Sequence, residues 1–268
     1  MRFITLLFFF SLAMTGLAFS QNQNPFSTDM SRYEMGQQTT YQIYTENDPP
    51  RSFKNSQGKI TGSAVDVVQE LMNRLNRFEP IQIRSWQDAY TFLTRGPNTL
   101  LFSVAKTKTR TPMFRWVGPI GTSKLQMFAL ANTPSKGVGT DWLKSCRVAT
   151  VQGWYSEGYL RDNGYANIIT LKNASLTVRA LLDGTVEYIC LPDLSAAGAV
   201  ISDKLEMSQI KKVADLEVTP LYIAFSPDVQ PDVIKKWQDT LGQMEKDGFI
   251  VKNQQKWIDI YKQAVNAK

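Results

Sequence analysis

The sequence contains no histidine and only two cysteines among its 268 residues. Histidine is the commonest metal ligand and the usual general base near neutral pH, and two cysteines cannot complete a zinc site. A phosphate-binding P-loop and the Gly-x-Ser-x-Gly motif of serine hydrolases are also absent from it. We therefore expect no metal, no cofactor and no histidine-based catalytic site.

The two cysteines, Cys146 and Cys190, fall at the start of one predicted strand and near the end of another. If those strands are parallel neighbours, the sulfurs lie at opposite ends and beyond the ~7 Å between Cα atoms that a disulfide tolerates. Two buried thiols are the favoured expectation. A disulfide is the alternative, because an oxidising compartment would allow one.

Long basic runs are absent, although the formal net charge is +6. The lysines and arginines are dispersed, and no zinc-finger or RNA-binding signature accompanies them. Nucleic acid is therefore not an expected partner. The excess positive charge is typical of a solvated surface that attracts anionic solutes.

A long apolar run occurs only at the N-terminus, where Arg2 precedes LLFFFSLAMTGLAFS. Residues 1–20 have the form of a signal peptide that is removed on export, with an uncleaved membrane anchor as the alternative. The polar residues 21–38 would then form a flexible segment. We expect a soluble protein in the periplasm.

Strand and helix patterns alternate along the rest of the chain, and the pattern begins again near residue 147. An amphipathic helix over residues 63–76 is predicted to start with Ser63 as its cap, in a Ser-x-x-Asp pattern. Such alternation is typical of α/β folds with parallel sheets. The strands predicted in the first half are 40–44, 81–84 and 100–104, and those in the second half are 147–151, 168–171 and 187–191.

The segment TLLFSVAKTKTRTPMFRWVGPI, residues 99–120, contains a short apolar strand followed by a basic loop. Ligand loops of open α/β sheets lie at the carboxyl ends of such strands. Arg110 can offer a planar fork of donors to a carboxylate, and Ser103 can add a hydroxyl group. This segment predicts an anion-binding loop.

The spacing of Ser103, Thr107, Arg110, Trp116 and Pro119 resembles a segment of the family 3 periplasmic solute-binding proteins, which capture polar amino acids for ABC importers. The resemblance extends to residues 54–76, 148–153 and 181–193. It implies a two-lobed α/β fold of type II, in which each lobe is a mainly parallel sheet flanked by helices. The implied lobes, joined by two hinge strands, comprise residues 39–132 plus 219–268 and residues 133–218.

The resemblance also implies roles for single residues. Ser103, Thr107 and Arg110 match the positions that hold the carboxylate of an amino acid. Ala105 stands where the family usually has a second hydroxyl, and the acid that takes the ammonium group is displaced by one position to Asp193. These departures leave fewer polar contacts to an amino acid than the family usually makes.

The second lobe departs from the family at Gly153-Trp154-Tyr155, where a Gly-Thr-Thr or Gly-Ser-Thr turn is usual. Trp154, Tyr155 or Phe53 could provide an aromatic face for the ligand. Tyr44 and Glu46, at the end of the first strand, are further candidates for ligand contact. The aromatic pair indicates a ligand that is bulkier or flatter than a standard amino acid.

We therefore expect a monomeric binding protein that holds a small polar or anionic solute, an amino acid or a related compound, and presents it to an inner-membrane ABC permease. The first alternative is an exported enzyme resembling cyclohexadienyl dehydratase, with Glu46, Glu187 or Asp193 as general acid or base. The second alternative is a ligand-sensing co-receptor.

Overall fold

The computed structural model describes residues 39–134 and 139–266, in which strands and helices alternate. The predicted signal peptide, residues 1–20, and the predicted flexible segment, residues 21–38, lie outside the described residues. The strands are β1 (Gln42–Thr45), β2 (Phe53–Lys54), β3 (Ile60–Thr61), β4 (Ile81–Ile83), β5 (Thr99–Ala105), β6 (Arg115–Leu130), β7 (Arg147–Val151), β8 (Asn167–Leu171), β9 (Tyr188–Pro192) and β10 (Ile210–Phe225). The helices are α1 (Ser63–Arg74), α2 (Trp86–Arg95), α3 (Tyr155–Asp162), α4 (Ala174–Leu182), α5 (Asp193–Ser202), α6 (Pro231–Lys246) and α7 (Phe249–Asn266).

Eight of these strands form one sheet in the order β4-β1-β5-β10-β6-β9-β7-β8. The trio β4, β1 and β5 is parallel, as is the trio β9, β7 and β8. Between the two trios run β10 and β6, which are antiparallel to each other. Each lobe is therefore a mainly parallel sheet flanked by helices, and two strands join the lobes, as predicted.

The joining strands are longer than the sequence pattern indicated. β6 and β10 contain 16 residues each and pair from Ile210 opposite Leu130 to Phe225 opposite Arg115. The sequence pattern predicts extended chain in these regions only over residues 124–131, 217–220 and 222–225. The lobe boundaries near residues 132 and 218 remain predictions: β6 ends at Leu130, just before the first, and β10 runs through the second without a break.

Helix α1 begins differently from the prediction. Its N-cap is Gly62, and no side chain caps it, so the predicted Ser63 cap is wrong. The first free amides of the helix donate instead to backbone carbonyls: Ser63 to Pro50 and Ala64 to Arg51, both at 3.0 Å. The start of α1 therefore holds the loop that follows β1 and needs no side-chain cap.

Two apolar clusters each lie within one lobe, and a third contains buried residues of both lobes. In the first lobe Val65 and Leu71 of α1 and Trp237 and Leu241 of α6 are buried against the sheet. In the second, Leu143, Val148, Leu160 and Tyr188 are among the buried residues. Burial of these side chains supplies the main driving force for folding.

Cys146 and Cys190 are both buried in the second lobe and are not joined by a disulfide. Cys190 lies beside Thr150, whose hydroxyl donates to the Cys190 carbonyl at 2.9 Å, while Cys146 precedes β7. The two sulfurs therefore sit at opposite ends of neighbouring parallel strands, and burial raises the pKa of Cys190.

Within the described ranges, no helix has both the length and the apolarity needed to cross a membrane.

Candidate functional site

The parallel pairing of β1 and β5 brings their carboxyl ends to one edge of the first lobe. Glu46 follows β1 directly, and Ser103 lies two residues before the end of β5. Ser103 has a φ of 65°, a left-handed conformation that is uncommon outside glycine. Its Oγ atom is buried and has no hydrogen-bond partner.

The loop after Glu46 is closed by its own hydrogen bonds. The Ser52 hydroxyl donates to the Glu46 carbonyl at 2.7 Å, and the amide of Asp48 donates to the Ser52 carbonyl at 2.7 Å. Within this loop Arg51 forms a buried ion pair with Asp48, at 3.1 Å between Nη1 and Oδ2. The same Nη1 donates to Ser195 Oγ of α5 at 3.1 Å, which connects the two lobes.

Arg110 is 8% exposed and points into the space between the lobes. Its Nη1 donates to the Ala105 carbonyl at 3.2 Å, and its Nη2 donates to the Gly153 carbonyl of the second lobe at 2.6 Å. The guanidinium carbon lies 4.8 Å from the ring centroid of Trp86 and 5.4 Å from that of Tyr90. Arg110 thus bonds protein groups on both sides and packs against two aromatic rings.

Trp154 provides a third connection between the lobes, since its indole Nε1 donates to Glu46 Oε2 at 2.9 Å. Burial of the carboxyl group, reinforced by the neighbouring Asp48 carboxylate, raises the pKa of Glu46 to about 8. The indole hydrogen bond and the cations Arg110 and Arg51 oppose this rise. Glu46 therefore carries a proton at neutral pH for much of the time.

Tyr155, next to Trp154, shares a 2.8 Å hydrogen bond with the hydroxyl of Ser123 on β6. Burial raises the pKa of Tyr155, so its hydroxyl stays neutral in the physiological range. The turn before α3 therefore contacts the first lobe through Trp154 and the joining strand through Tyr155.

These groups surround a central cavity of only 30 Å³. Such a volume is close to that of one water molecule. The structure is therefore a closed state, in which side chains of both lobes fill the space between them. The residues that line this cavity are Glu46, Asp48, Arg51, Trp86, Ser103, Ala105, Arg110, Ser123, Trp154, Tyr155, Pro192, Ser195 and Leu221.

Larger cavities lie on either side of the central one. One has a volume of 490 Å³ and includes Arg51, Ser103 and Asp193 in its lining. The other has a volume of 630 Å³ and is bounded by the Glu46 loop and by the start of α4 at Lys172–Ser175. Both volumes are in the range of ligand pockets.

The structure brings most of the site residues that the sequence indicated close together. Six of them line the central cavity: Glu46, Ser103, Ala105, Arg110, Trp154 and Tyr155. Asp193 lines the 490 Å³ cavity, and its Oδ1 accepts a 2.7 Å hydrogen bond from the amide of Leu194.

Three other predicted residues lie outside the lining of these cavities. Tyr44 is buried against Phe92, with ring centroids 5.1 Å apart, and Phe53 meets Trp257 edge-on at 6.0 Å. The Thr107 hydroxyl accepts a hydrogen bond from the amide of Arg110 at 3.3 Å. Thr107 thus shapes the loop that carries Arg110.

Sequence reasoning missed Asp48, Arg51, Trp86, Ser123 and Ser195. One signal was available for Arg51, because NDPPRSF follows the first predicted strand, whose end faces the same edge as that of β5. An arginine in this position belongs to the same edge as Ser103. No cluster of three or more histidine, cysteine, aspartate or glutamate residues suited to a metal ion occurs in the described part of the chain.

Comparisons with known proteins agree with this architecture. The chain is 22% identical over 219 residues to the L-cystine-binding protein TcyJ of Escherichia coli K12, which covers 78% of this chain and 79% of that protein. A histidine kinase sensor domain with similarity to periplasmic binding proteins superposes with a TM-score of 0.75 at 18% identity, covering 81% of this chain and 95% of that one. An ancestral arginine-binding protein bound to arginine superposes with a TM-score of 0.73 at 20% identity. The superposition covers 82% of this chain and 98% of that one.

The family model described as bacterial extracellular solute-binding proteins, family 3, matches residues 41–260. This match spans both lobes and both joining strands. On that basis the chain is a member of family 3 of the bacterial extracellular solute-binding proteins.

Proposed function

We propose that the chain captures a small polar or anionic solute, an amino acid or a related compound, between its lobes and delivers it to an ABC importer. The observation that carries the proposal is the set of hydrogen bonds that cross between the lobes. They run from Arg110 to Gly153, from Trp154 to Glu46 and from Arg51 to Ser195. A clamp that closes through polar side chains can exchange these partners for those of a solute.

Opening is required before a solute can reach the central cavity, since 30 Å³ holds no more than a water molecule. The two joining strands are the connection about which the lobes would move, and opening would also separate the apolar cluster that both lobes share. A solute that binds the closed form more tightly than the open form shifts the population towards closure. The closed surface would then be the form that a permease recognises.

Arg110 remains the predicted carboxylate ligand. In the closed state its donors are occupied by carbonyl oxygens, so the solute would meet it in the open state and replace the Gly153 carbonyl. A charge-assisted hydrogen bond to a carboxylate is stronger than one to a neutral carbonyl, and this difference favours the exchange. Glu46, Ser103, Trp154 and Tyr155 would contact the solute in the same movement.

The direct test is isothermal titration of protein recovered from the periplasm of an expressing host against the common amino acids, L-cystine and small organic acids. We expect saturable binding of at least one of them with a dissociation constant on the order of micromolar. Arg110→Gln should weaken that binding about tenfold or more, because it removes a charged donor. Wild-type protein that binds none of these compounds would overturn the proposal.

Delivery is tested separately, by uptake of the identified solute in the producing bacterium with and without this protein. Loss of uptake supports the importer role. Unchanged uptake by cells that lack a protein with proven affinity would favour the sensing alternative. Size-exclusion chromatography with light scattering should give the mass of a monomer.

We further propose that the chain binds its solute without converting it. The three carboxylates offered for catalysis are dispersed: Glu46 bonds Trp154, Asp193 bonds the amide of Leu194, and Glu187 bonds the amide of Arg147. General acid–base catalysis needs such groups around one substrate. Mass spectrometry after incubation with prephenate or arogenate should show unchanged substrate, and product formation would contradict this proposal.

A further inference from the structure

The 490 Å³ cavity beside the central one has a largely apolar wall. It is bounded by α1, the C-terminal helix α7, the joining strands and the start of α5, and it shares Arg51 and Ser103 with the central cavity. Exposed Lys124 and Ile258 show that it reaches the surface. Its apolar lining residues are Ala64, Val67, Ile120, Leu194, Leu221, Ile250, Trp257 and Ile258.

Three charged residues line this cavity, Arg51, Lys124 and Asp193, and Arg51 is the buried one. It is 4% exposed, and its Nη1 is occupied by Asp48 and Ser195, but its Nη2 is buried without a hydrogen-bond partner. Ser103 Oγ, another lining group, is also buried without a partner. Asp48 Oδ1, in the ion pair with Arg51, is a third buried atom without a partner. Unpaired buried polar atoms are rare in native proteins, and the two donors among these three indicate a missing acceptor.

The position of Arg51 is set by its own backbone. Its carbonyl accepts the amide of Ala64 at the start of α1, and Gly62 passes so close to that carbonyl that a Cβ atom there would clash with it. The first amides of α1 donate to the Pro50 and Arg51 carbonyls and are not available to a ligand. The unpaired Nη2 of Arg51 is a donor that can still bind one. A donor held in this way loses little freedom when it binds.

Arg110 differs from Arg51 in this respect. Each of its terminal nitrogens donates to a backbone carbonyl, and its face packs on Trp86 and Tyr90. Of these two guanidinium groups, that of Arg51 has the unpaired terminal nitrogen.

We propose that the 490 Å³ cavity holds a small carboxylate with an apolar body, whose carboxylate binds Arg51 Nη2 and Ser103 Oγ and whose body packs between α1, α7 and the joining strands. The inference rests on the proposed function, since it names the solute class and its place in the closed form. It differs in one point: in the closed form the carboxylate is held by Arg51 and Ser103, while Arg110 keeps its carbonyl partners. Aromatic and branched aliphatic acids have this chemistry.

The probe for the test is 3-phenylpropanoate, titrated against the full protein together with 3-phenyl-1-propanol and acetate. The alcohol has the same body without the charge, and acetate has the charge without the body. We expect the acid to bind at least about tenfold more tightly than either, because a charge-assisted hydrogen bond and apolar burial are both needed.

Two variants locate the site. Arg51→Gln removes the charge, and Gly121→Leu fills the cavity from β6, where a Cβ atom would meet nothing within 4 Å. Each should weaken binding of 3-phenylpropanoate about tenfold or more. Gly242→Leu on α6 makes the same change outside the cavity, where a Cβ atom also meets nothing within 4 Å, and should leave the affinity within about twofold of wild type.

Gly121→Leu keeps the test decisive if Arg51→Gln fails to fold, because it leaves the Asp48 ion pair intact. Equal binding of the acid and the alcohol, or unchanged affinity in Gly121→Leu, would overturn this inference. If the wild type binds a polar amino acid but not 3-phenylpropanoate, the inference fails while the proposed function stands. A wild type that binds no solute would overturn both.

Discussion

The indole Nε1 of Trp154 lies 2.9 Å from Glu46 Oε2, although the two residues are 108 positions apart in the chain. This hydrogen bond joins the turn before α3 in the second lobe to the end of β1 in the first. Trp154 is itself 7% exposed and lines the central cavity. One side chain thus occupies the space between the lobes and bonds across it.

Trp154→Phe should loosen the closed state. It removes the indole donor while keeping an aromatic body, and we expect a fall in melting temperature of about 2–4 °C, as for the loss of one hydrogen bond worth about 1 kcal/mol. Small-angle scattering should show a larger radius of gyration.

Trp116→Phe is the matched control for this change. It removes an indole hydrogen bond to the Thr111 carbonyl within one lobe, at 3.1 Å, and should lower the melting temperature without changing the radius. If Trp154→Phe leaves both the radius and the affinity for an identified amino acid unchanged, the proposed ligand role of Trp154 is wrong.

Glu46 should make stability depend on pH. Its pKa is raised from 4.5 to about 8 by burial and by Asp48, with Trp154, Arg110 and Arg51 acting in the opposite direction. The folded protein therefore holds this proton more tightly than the unfolded chain. The resulting stabilisation is fully present below pH 4.5 and is lost as the pH rises through about 8.

The measurement is the melting temperature of wild type and Glu46→Gln between pH 5 and 9. Glutamine keeps an acceptor for the indole but does not titrate. We expect the wild type to lose roughly a few degrees relative to the variant as the pH rises through this window. Parallel curves would contradict the raised pKa.

Substitutions of Arg51 and Asp48 should have strongly coupled effects on stability, because the two side chains form a buried ion pair. The two side chains are 5% and 10% exposed, so removing either one leaves a buried charge without its partner. We expect Arg51→Met and Asp48→Asn each to reduce the free energy of unfolding, by about 3–5 kcal/mol for a fully buried pair. Denaturant titration of both single variants and the double variant gives the coupling.

The double variant should be more stable than the sum of the single losses predicts, by about 1–3 kcal/mol. Additive losses would show that the two side chains act independently. Such a result would also remove the reason for treating Arg51 as a fixed donor.

Gly198 should control how far the lobes close. It lies on α5, and a Cβ atom there would clash with the Pro49 carbonyl of the first lobe. Gly198→Ala should therefore hold the lobes apart, increase the radius of gyration and weaken binding of any solute that requires closure. Small-angle scattering and titration measure these effects.

Gly158→Ala on α3 is the matched control, because a Cβ atom there meets nothing within 4 Å. Both changes replace a helical glycine by alanine, which by itself stabilises a helix by up to about 1 kcal/mol. An equal radius of gyration in the two variants would show that the contact of α5 with Pro49 does not limit closure.

The alternation of strands and helices was readable because each element carries a local signal. The apolar run at 100–104 and the amphipathic helix predicted over 63–76 depend only on neighbouring residues, and β5 and α1 lie at these positions. The full lengths of β6 and β10 were not predictable. Their outer parts alternate irregularly and are extended because they pair with each other across a large separation in sequence.

The site was harder to predict, because its residues come from segments that lie far apart in the sequence. Ser103, Ala105 and Arg110 follow from one segment, but the bond of Arg51 to Ser195 joins residues 144 positions apart. The Ser63 cap failed because the Pro50 and Arg51 carbonyls already accept the first amides of α1. Contacts between distant segments cannot be derived from local spacing.

The register of β10 against β6 shifts at three places, between Lys212 and Ala214, between Asp215 and Glu217, and between Leu221 and Ile223. Each shift interrupts the ladder of backbone hydrogen bonds and leaves a place where the ribbon resists bending least. Flexure is thereby concentrated at a few peptide units in the middle of the sheet. We therefore expect any change in the angle between the lobes to occur at these places, and to require repacking of the apolar cluster that the lobes share.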